Sequence, residues 1–410
     1  MDDYAGTTGL VECQSTEIGE NLTVIPYGRQ DISDADIEAV IDVLKSDFLT
    51  QGPKVPEFEK TLTSSTGAKH ALAMNSATSS LHVACMALGL GKGDWLWTTP
   101  VTFVASANAG LYCGAKIDFV DIDPATYNMC PKKLEKKLIE AQLNGTLPKV
   151  LVPVHLCGQP CDMRAIQHLC MEYDVKIIED ASHAIGGSYL GGPIGNCAYS
   201  DITVFSFHPV KIITTGEGGA VLTNDDELAK KMALFRGHGI TRDQNMMTEP
   251  SHGSWYYQQI ELGYNYRMTD IQAALGVSQM RRLSEFVSKR HQIARRYDRL
   301  LDGLPVEVPF QLDDTYSGLH LYAIRLKLDD IQLSHKQVFE GLKEKGIGVN
   351  VHYIPVHLQP YYAAMGFQQG DFPESEKYYS EAISLPMYPN LSEQDQNKVV
   401  EVLTSLLVSK

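Results

Sequence analysis

No apolar run in this chain of 410 residues reaches the length of a membrane span, and its acidic first residues, MDDYAGTTGLVECQ, lack the basic-then-apolar order of a signal peptide. A soluble cytoplasmic protein is therefore expected. Positive charge is scarce: 35 Lys and Arg stand against 50 Asp and Glu, a formal net charge of −15. This balance argues against a nucleic-acid binder, which would display a basic face, but leaves room for an anionic nucleotide in a local cationic pocket. The 8 cysteines include no CxxC pair, and reduced thiols suit the cytoplasm. His155, Cys157, Cys161, His168 and Cys170 do not have the spacing of a standard zinc site. They read as packed residues, and no metal is expected. GGSYLGGPIG is no dinucleotide fingerprint either; its Gly-Gly-Pro reads as a hairpin turn. Repeats and low-complexity tracts are missing as well.

What is present is enough apolar residue, 44% of the chain, to bury a large core in two domains or one large and one small. Residues 200–220, SDITVFSFHPVKIITTGEGGA, form the central stretch. Ser200–His208 is predicted to be a buried strand, because apolar and β-branched residues dominate Ile202–Phe207. It leads into a loop carrying Lys211, and Gly216, Gly218 and Gly219 let the backbone fold tightly back. A lysine delivered into such a loop can become a nucleophilic amine when desolvation or a nearby cation lowers its pKa.

Other stretches frame it. Ser33 or Asp34 can cap a helix on which Ile37, Val40, Ile41 and Leu44 share a face. ALAMNSATSSLHVACMALGL reads as strand, polar turn and helix, with Asn75 or Ser76 at the helix N-terminus, where free amides and the dipole favour a phosphate. In VKIIEDASHAIGG, Val175–Ile178 is strand-like and Asp180 stands at its C-terminal end, where open α/β sheets collect ligands. RGHGITRD gathers Arg236, His238 and Arg242. A strand leading to a helix capped by Asn224 or Asp225 follows Lys211, and an amphipathic helix carries Ile271, Ala274, Leu275 and Val277. Farther on, HLYAIRLKL and VNVHYIPV suggest strands and HKQVFEGLKEKG a helix.

The motifs SFHPVK, EDASHA and GYNYRM, in that setting from about Ile25 to the C-terminus, resemble the DegT/DnrJ/EryC1/StrS family of sugar aminotransferases. The resemblance implies an aspartate-aminotransferase-like α/β fold (fold type I), with a mostly parallel sheet and a small C-terminal α/β domain. It divides the chain into a disordered extension at 1–22, a large cofactor domain at 23–280 whose first residues pack on the small domain, and a small domain at 281–410. The cofactor implied is pyridoxal 5′-phosphate, bonded to Lys211, with Asp180 at the pyridine nitrogen, His183 near the ring's 3-hydroxyl and Phe103 on the ring face. Ala77, Thr78 and Ser206 would hold the phosphate, and Asn265 would reach the phosphate of the other subunit, so that a homodimer shares its sites. Arg236, His238, His352 and Tyr353 become candidate substrate contacts.

Within the family, IPYGRQDIS, SDFLTQGP, SFHPVKIITTGEGGA and HGITRD most resemble members that aminate C4 of a UDP-linked 4-keto-6-deoxy-N-acetyl hexose with L-glutamate, on the way to pseudaminic acid. A 4-aminotransferase for another nucleotide 4-keto sugar, of the bacillosamine, legionaminic acid or perosamine type, is the alternative. Dehydratases of the family carry histidine at the lysine position, and Lys211 argues against that reading.

Overall fold

The computed structural model describes residues 24–408, so the extension expected at 1–22 lies outside the described residues. A seven-stranded sheet organises the larger part of the chain. Its spatial order is His70–Met74, Gly219–Thr223, Ile202–Ser206, Lys176–Asp180, Val150–Val152, Trp95–Thr98 and Lys116–Phe119. Gly219–Thr223 runs antiparallel to both its neighbours, and every other pairing is parallel. Ile202–Ser206 and Gly219–Thr223 are buried along their whole length, because helices cover both faces. Residues expected at 200–208 thus form a shorter strand, and Lys211 follows its end by five residues.

This topology concentrates polar loops at one edge. Six strands run the same way and end there, and five of them continue into residues singled out above: Met74 into Asn75–Thr78, Thr98 toward Phe103, Val152 into His155 and Cys157, Asp180 into His183, and Ser206 into Lys211. Helices return the chain from that edge by crossovers, which leaves the strand C-termini as the open side of the sheet.

Capping selects among the alternatives left by the sequence. Ser33, not Asp34, caps Asp34–Leu44 in a capping box with Asp36. Ser76 caps Ala77–Ala87, and Asp225 caps Asp226–Arg236. Thr269 and Gln272 form the box that starts Asp270–Met280, the expected amphipathic helix. Leu190 and Gly191, both with positive φ, turn the hairpin between Ser188–Tyr189 and Gly192–Pro193.

Ile37, Val40, Ile41 and Leu44 share a face of Asp34–Leu44 as expected, and that face points outward, with Ile37, Ile41 and Leu44 49%, 38% and 56% exposed. The buried side of that helix is held by Asp36, which accepts from Arg282 at 2.6 Å and from Gln279 at 2.8 Å. VNVHYIPV is not a strand: Asn350 makes one isolated bridge to Ser384, and the His352 side chain bonds the Ser384 hydroxyl at 2.8 Å. HLYAIRLKL does supply a strand, Tyr322–Leu326, between Val306–Glu307 and Ala382–Leu385.

That small antiparallel sheet carries its own core of Ile293, Tyr297, Tyr322, Ile324, Val338, Leu342, Val399 and Leu403. Ile25 joins it, pairing with Ile347 and exchanging backbone bonds with Gly346 and Gly348. Leu283, Phe286 and Val287 pack into the large-sheet core instead, as do Val356, Tyr362 and Phe372 on its other face. We propose the division at 23–280 and 281–410 on the basis of these two cores, with those six residues reaching across it. Among the described residues, no helix is long and apolar enough to cross a membrane.

The His155 group is built into the sheet. Successive strand residues face opposite ways, so Glu179 points away from Asp180. Its carboxylate meets His155 Nε2 at 2.8 Å and accepts from Thr203 at 3.3 Å. His155 Nδ1 accepts from the Cys161 amide at 3.1 Å, which places the ring hydrogen on Nε2, toward Glu179. His168 stands apart, exposed on its helix beside Glu172. Glu179→Ala is expected to destabilise the protein by about 3 kcal/mol, since it strands the buried His155 and Thr203 donors. A denaturant midpoint unchanged from wild type would contradict this.

Candidate active site

The loop after Ile202–Ser206 is closed by backbone bonds. Phe207 donates to Gly218 at 2.9 Å, Thr215 donates to Phe207 at 3.0 Å, and Lys211 donates to His208 at 2.9 Å. Gly216 supplies the left-handed residue, with φ of +78°. Lys211 is half-buried at the base of this loop. Burial lowers its pKa from 10.5 to about 8, and the negative charge of Asp180 and the side chain of Cys157 oppose the shift. The result is an amine with a substantial neutral fraction near physiological pH.

Asp180 is buried at the end of its strand. One carboxylate oxygen accepts from the Ser106 hydroxyl at 2.7 Å and the other from the Ser182 amide at 3.1 Å. His183, one turn on, has both ring nitrogens assigned by its partners. Nδ1 accepts from the Cys157 amide at 3.2 Å, so Nε2 carries the hydrogen that it donates to Tyr353 Oη at 3.1 Å. Burial, then the charge of Lys211, pushes His183 well below the usual imidazole range, and it stays neutral. The same two causes take His352 to about 3. Burial holds the Tyr353 phenol protonated well above its ordinary range. Phe103 is 58% exposed, its ring 6.2 Å from that of Tyr353. It is an apolar face left open at the polar edge, outside the core.

A second corner lies beside this cluster. Gly219 pairs across strands with both Ser206 and Met74. A Cβ on Gly219 would lie 2.4 Å from the Ala77 amide nitrogen, so glycine is required for the strand to approach the helix start this closely. Ser76 spends its hydroxyl on the Ser79 amide at 3.1 Å. The amides of Ala77 and Thr78 find no partner among the described residues. Two unpaired amides at a helix N-terminus, with Ser206 across the intervening glycine, make an anion corner. Asn265 is exposed close by: its carbonyl accepts from Asn75 Nδ2 at 3.5 Å, and Tyr266 accepts from the Asn75 amide at 2.9 Å.

The model of the DegT/DnrJ/EryC1/StrS aminotransferase family matches residues 30–404. This chain belongs to that family. A UDP-4-amino-4,6-dideoxy-N-acetyl-beta-L-altrosamine transaminase of Campylobacter jejuni is 38% identical over 385 residues, covering 94% of this chain and 98% of the relative. The spore coat polysaccharide biosynthesis protein SpsC of Bacillus subtilis is also 38% identical, over 386 residues, 93% of this chain and 97% of its own. Among solved structures, PseC of Helicobacter pylori, an aminotransferase involved in the biosynthesis of pseudoaminic acid, superposes with a TM-score of 0.86 at 32% identity, over 94% of this chain and all of that one. The fold is accordingly that of the fold type I aminotransferases, and the protein is a sugar aminotransferase whose cofactor is pyridoxal 5′-phosphate.

The site fits that cofactor. It offers unpaired amides for a phosphate, an open aromatic face for a flat ring, a fixed carboxylate for a ring nitrogen and a partly neutral amine for an aldehyde. Lys211, Asp180, His183, Phe103, His352 and Tyr353 converge in one cluster, and Ala77, Thr78 and Ser206 in the anion corner beside it. Arg236 does not present a free guanidinium: Nη1 is engaged by Glu59 and by the Ala73 carbonyl at 2.8 Å. His238 is exposed, with φ of +65°. The sequence reading missed Ser106 and His320, and it took Cys157 only as a packed residue. His320 lies behind His183, ring centres 4.5 Å apart. No motif marks these three, although a serine inside the apolar helix start ASANAG is a weak sign of a buried polar partner.

The rate at which the cofactor-free protein captures pyridoxal 5′-phosphate covalently should rise with pH and level off above about 8, because a depressed pKa frees the amine above that value. Stopped-flow absorbance across pH 6 to 11 checks it. A rate still climbing toward 10.5 would contradict the desolvation of Lys211.

Proposed function

We propose that the protein transfers the amino group of L-glutamate to C4 of a UDP-linked 4-keto-6-deoxy-N-acetyl hexose, in the formation of pseudaminic acid. The observation that carries this reading is 38% identity across nearly the whole of both chains to an altrosamine transaminase, supported by the likeness to PseC. SpsC is matched at the same identity, and it favours a second reading, amination of another nucleotide-linked 4-keto sugar.

When bound, pyridoxal 5′-phosphate supplies an aldehyde for amines and a pyridinium that stabilises negative charge on an adjacent carbon. The chain's own residues do the rest. Lys211 is assigned the covalent attachment and, once displaced, the movement of protons at the substrate carbon. General acid–base action of this kind contributes about a hundredfold to ten-thousandfold. Asp180 keeps the ring nitrogen protonated, because an anion there favours the charged form. His183 donates from Nε2 to Tyr353 Oη and is assigned to the side of the ring's 3-hydroxyl, and its neutrality prevents competition with Lys211 for charge. Phe103 covers the ring face, and Ala77, Thr78 and Ser206 take the phosphate.

His238, His352 and Tyr353 are assigned to the sugar nucleotide. Arg236 was a further candidate, and its ties to Glu59 and Ala73 instead support a structural role. The same proposal includes a cytoplasmic homodimer in which Asn265 serves the partner's phosphate site. The outward face of Ile37, Ile41 and Leu44, continued by exposed Phe48 and Leu49, supports a surface for a second copy.

In competition among UDP-, dTDP- and GDP-linked 4-keto-6-deoxy sugars with glutamate as donor, the UDP-N-acetyl sugar should be aminated fastest. Product analysis by mass and NMR reads the outcome. A preference for a GDP or dTDP sugar would reject the pseudaminic-acid reading and favour the second one.

A further inference from the structure

Asp180 lies within the electrostatic reach of Lys211 and is oriented by neutral partners. A carboxylate free to swing would move toward the ammonium, form an ion pair and raise the amine's pKa. Its charge already opposes the lowering of Lys211. Two contacts hold it elsewhere: the Ser182 amide at 3.1 Å on one oxygen and the Ser106 hydroxyl at 2.7 Å on the other.

The hydrogen directions follow from the donor inventory. An ionised carboxylate only accepts, so the single hydroxyl hydrogen of Ser106 is committed to Asp180. Ser106 and Thr102 hydroxyls are 2.8 Å apart. Thr102 must therefore be the donor in that pair, and the chain of hydrogens runs Thr102 to Ser106 to Asp180. Both hydroxyl residues are buried, Ser106 completely and Thr102 at 2% exposure, so water does not substitute for either. Thr102 directly precedes Phe103, and the Phe103 carbonyl stands 3.3 Å from Ser106 Oγ.

We propose that Ser106 is a positioning residue for Asp180, and that the Thr102–Ser106–Asp180 relay fixes the carboxylate relative to the aromatic face of Phe103 while keeping it off Lys211. Ser106 lies on Ala105–Tyr112, after a different strand from Asp180, so the relay joins two strand ends of the sheet. It makes the cofactor's nitrogen partner and its stacking face one hydrogen-bonded unit. The proposal rests on the reading that Asp180 meets the ring nitrogen.

The test is a double-mutant cycle with two readouts, the dissociation constant for pyridoxal 5′-phosphate from fluorescence titration and the pH midpoint of covalent capture. Ser106→Ala should weaken cofactor binding about tenfold, the scale of a lost hydrogen bond to a charged group. It should also move the capture midpoint upward from about 8. Ser106→Thr, which keeps the hydroxyl, should restore both values, and Thr102→Val should give a smaller shift in the same direction. In the Asp180→Asn background, Ser106→Ala should add less than twofold to the loss of affinity. If Ser106→Ala weakens binding equally in both backgrounds, or leaves the midpoint in place, Ser106 acts as packing only and the proposal is overturned. If Asp180→Asn binds cofactor as wild type does, the nitrogen assignment fails, and the relay with it.

Discussion

Burial of the Lys211 ammonium, opposed by the nearby carboxylate of Asp180, is the balance on which the rest of the site depends. Desolvation alone would leave a weakly held neutral amine, and a close ion pair would leave a protonated one. The observed arrangement lies between them, with the amine near 8. Neighbouring groups respect that balance. His183, His320 and His352 are all pushed down by burial and all feel the Lys211 charge, so three imidazoles close to the amine remain neutral. Tyr353 keeps its proton. Lysine and aspartate are thus the charges that matter in a cluster of otherwise neutral donors and acceptors.

The sheet makes this possible by bringing strand ends together. Glu179 and Asp180 illustrate the economy of alternation: one faces the interior network of His155 and Thr203, the other the open edge. A rigid backbone on one side therefore supports chemistry on the other. Gly219 serves a similar purpose, since the close pass of its strand over Ala77 sets the anion corner against the lysine loop. Rigid strands and helix starts hold these groups more firmly than a mobile loop would.

Much of this was legible in the sequence. The apolar run before Asp180 and the glycines after Lys211 are local signals, and capping chemistry marked Ser76 and Asp225 as one of two choices each. The motif resemblance added Phe103 and Ser206, which no periodicity would single out. Other features depend on distant partners. Arg236 looked available until Glu59, 177 residues away, took its guanidinium. Ser106 acquires meaning only because Asp180, 74 residues on, folds against it. Periodicity placed Ile37, Ile41 and Leu44 on one face but carries no information on what covers that face. VNVHYIPV has strand-like residues, yet its side chains bond across to Ser384 while the backbone leaves the ladder after Asn350.

The central claim is that one partly neutral lysine at this edge, Lys211, carries the cofactor. Borohydride reduction of the cofactor-loaded protein, followed by proteolysis and mass mapping, tests it most directly. The account predicts a single reduced adduct on Lys211, none on other lysines, and loss of the adduct in Lys211→Ala. An adduct on a different lysine, or cofactor bound without any reducible link, would contradict it.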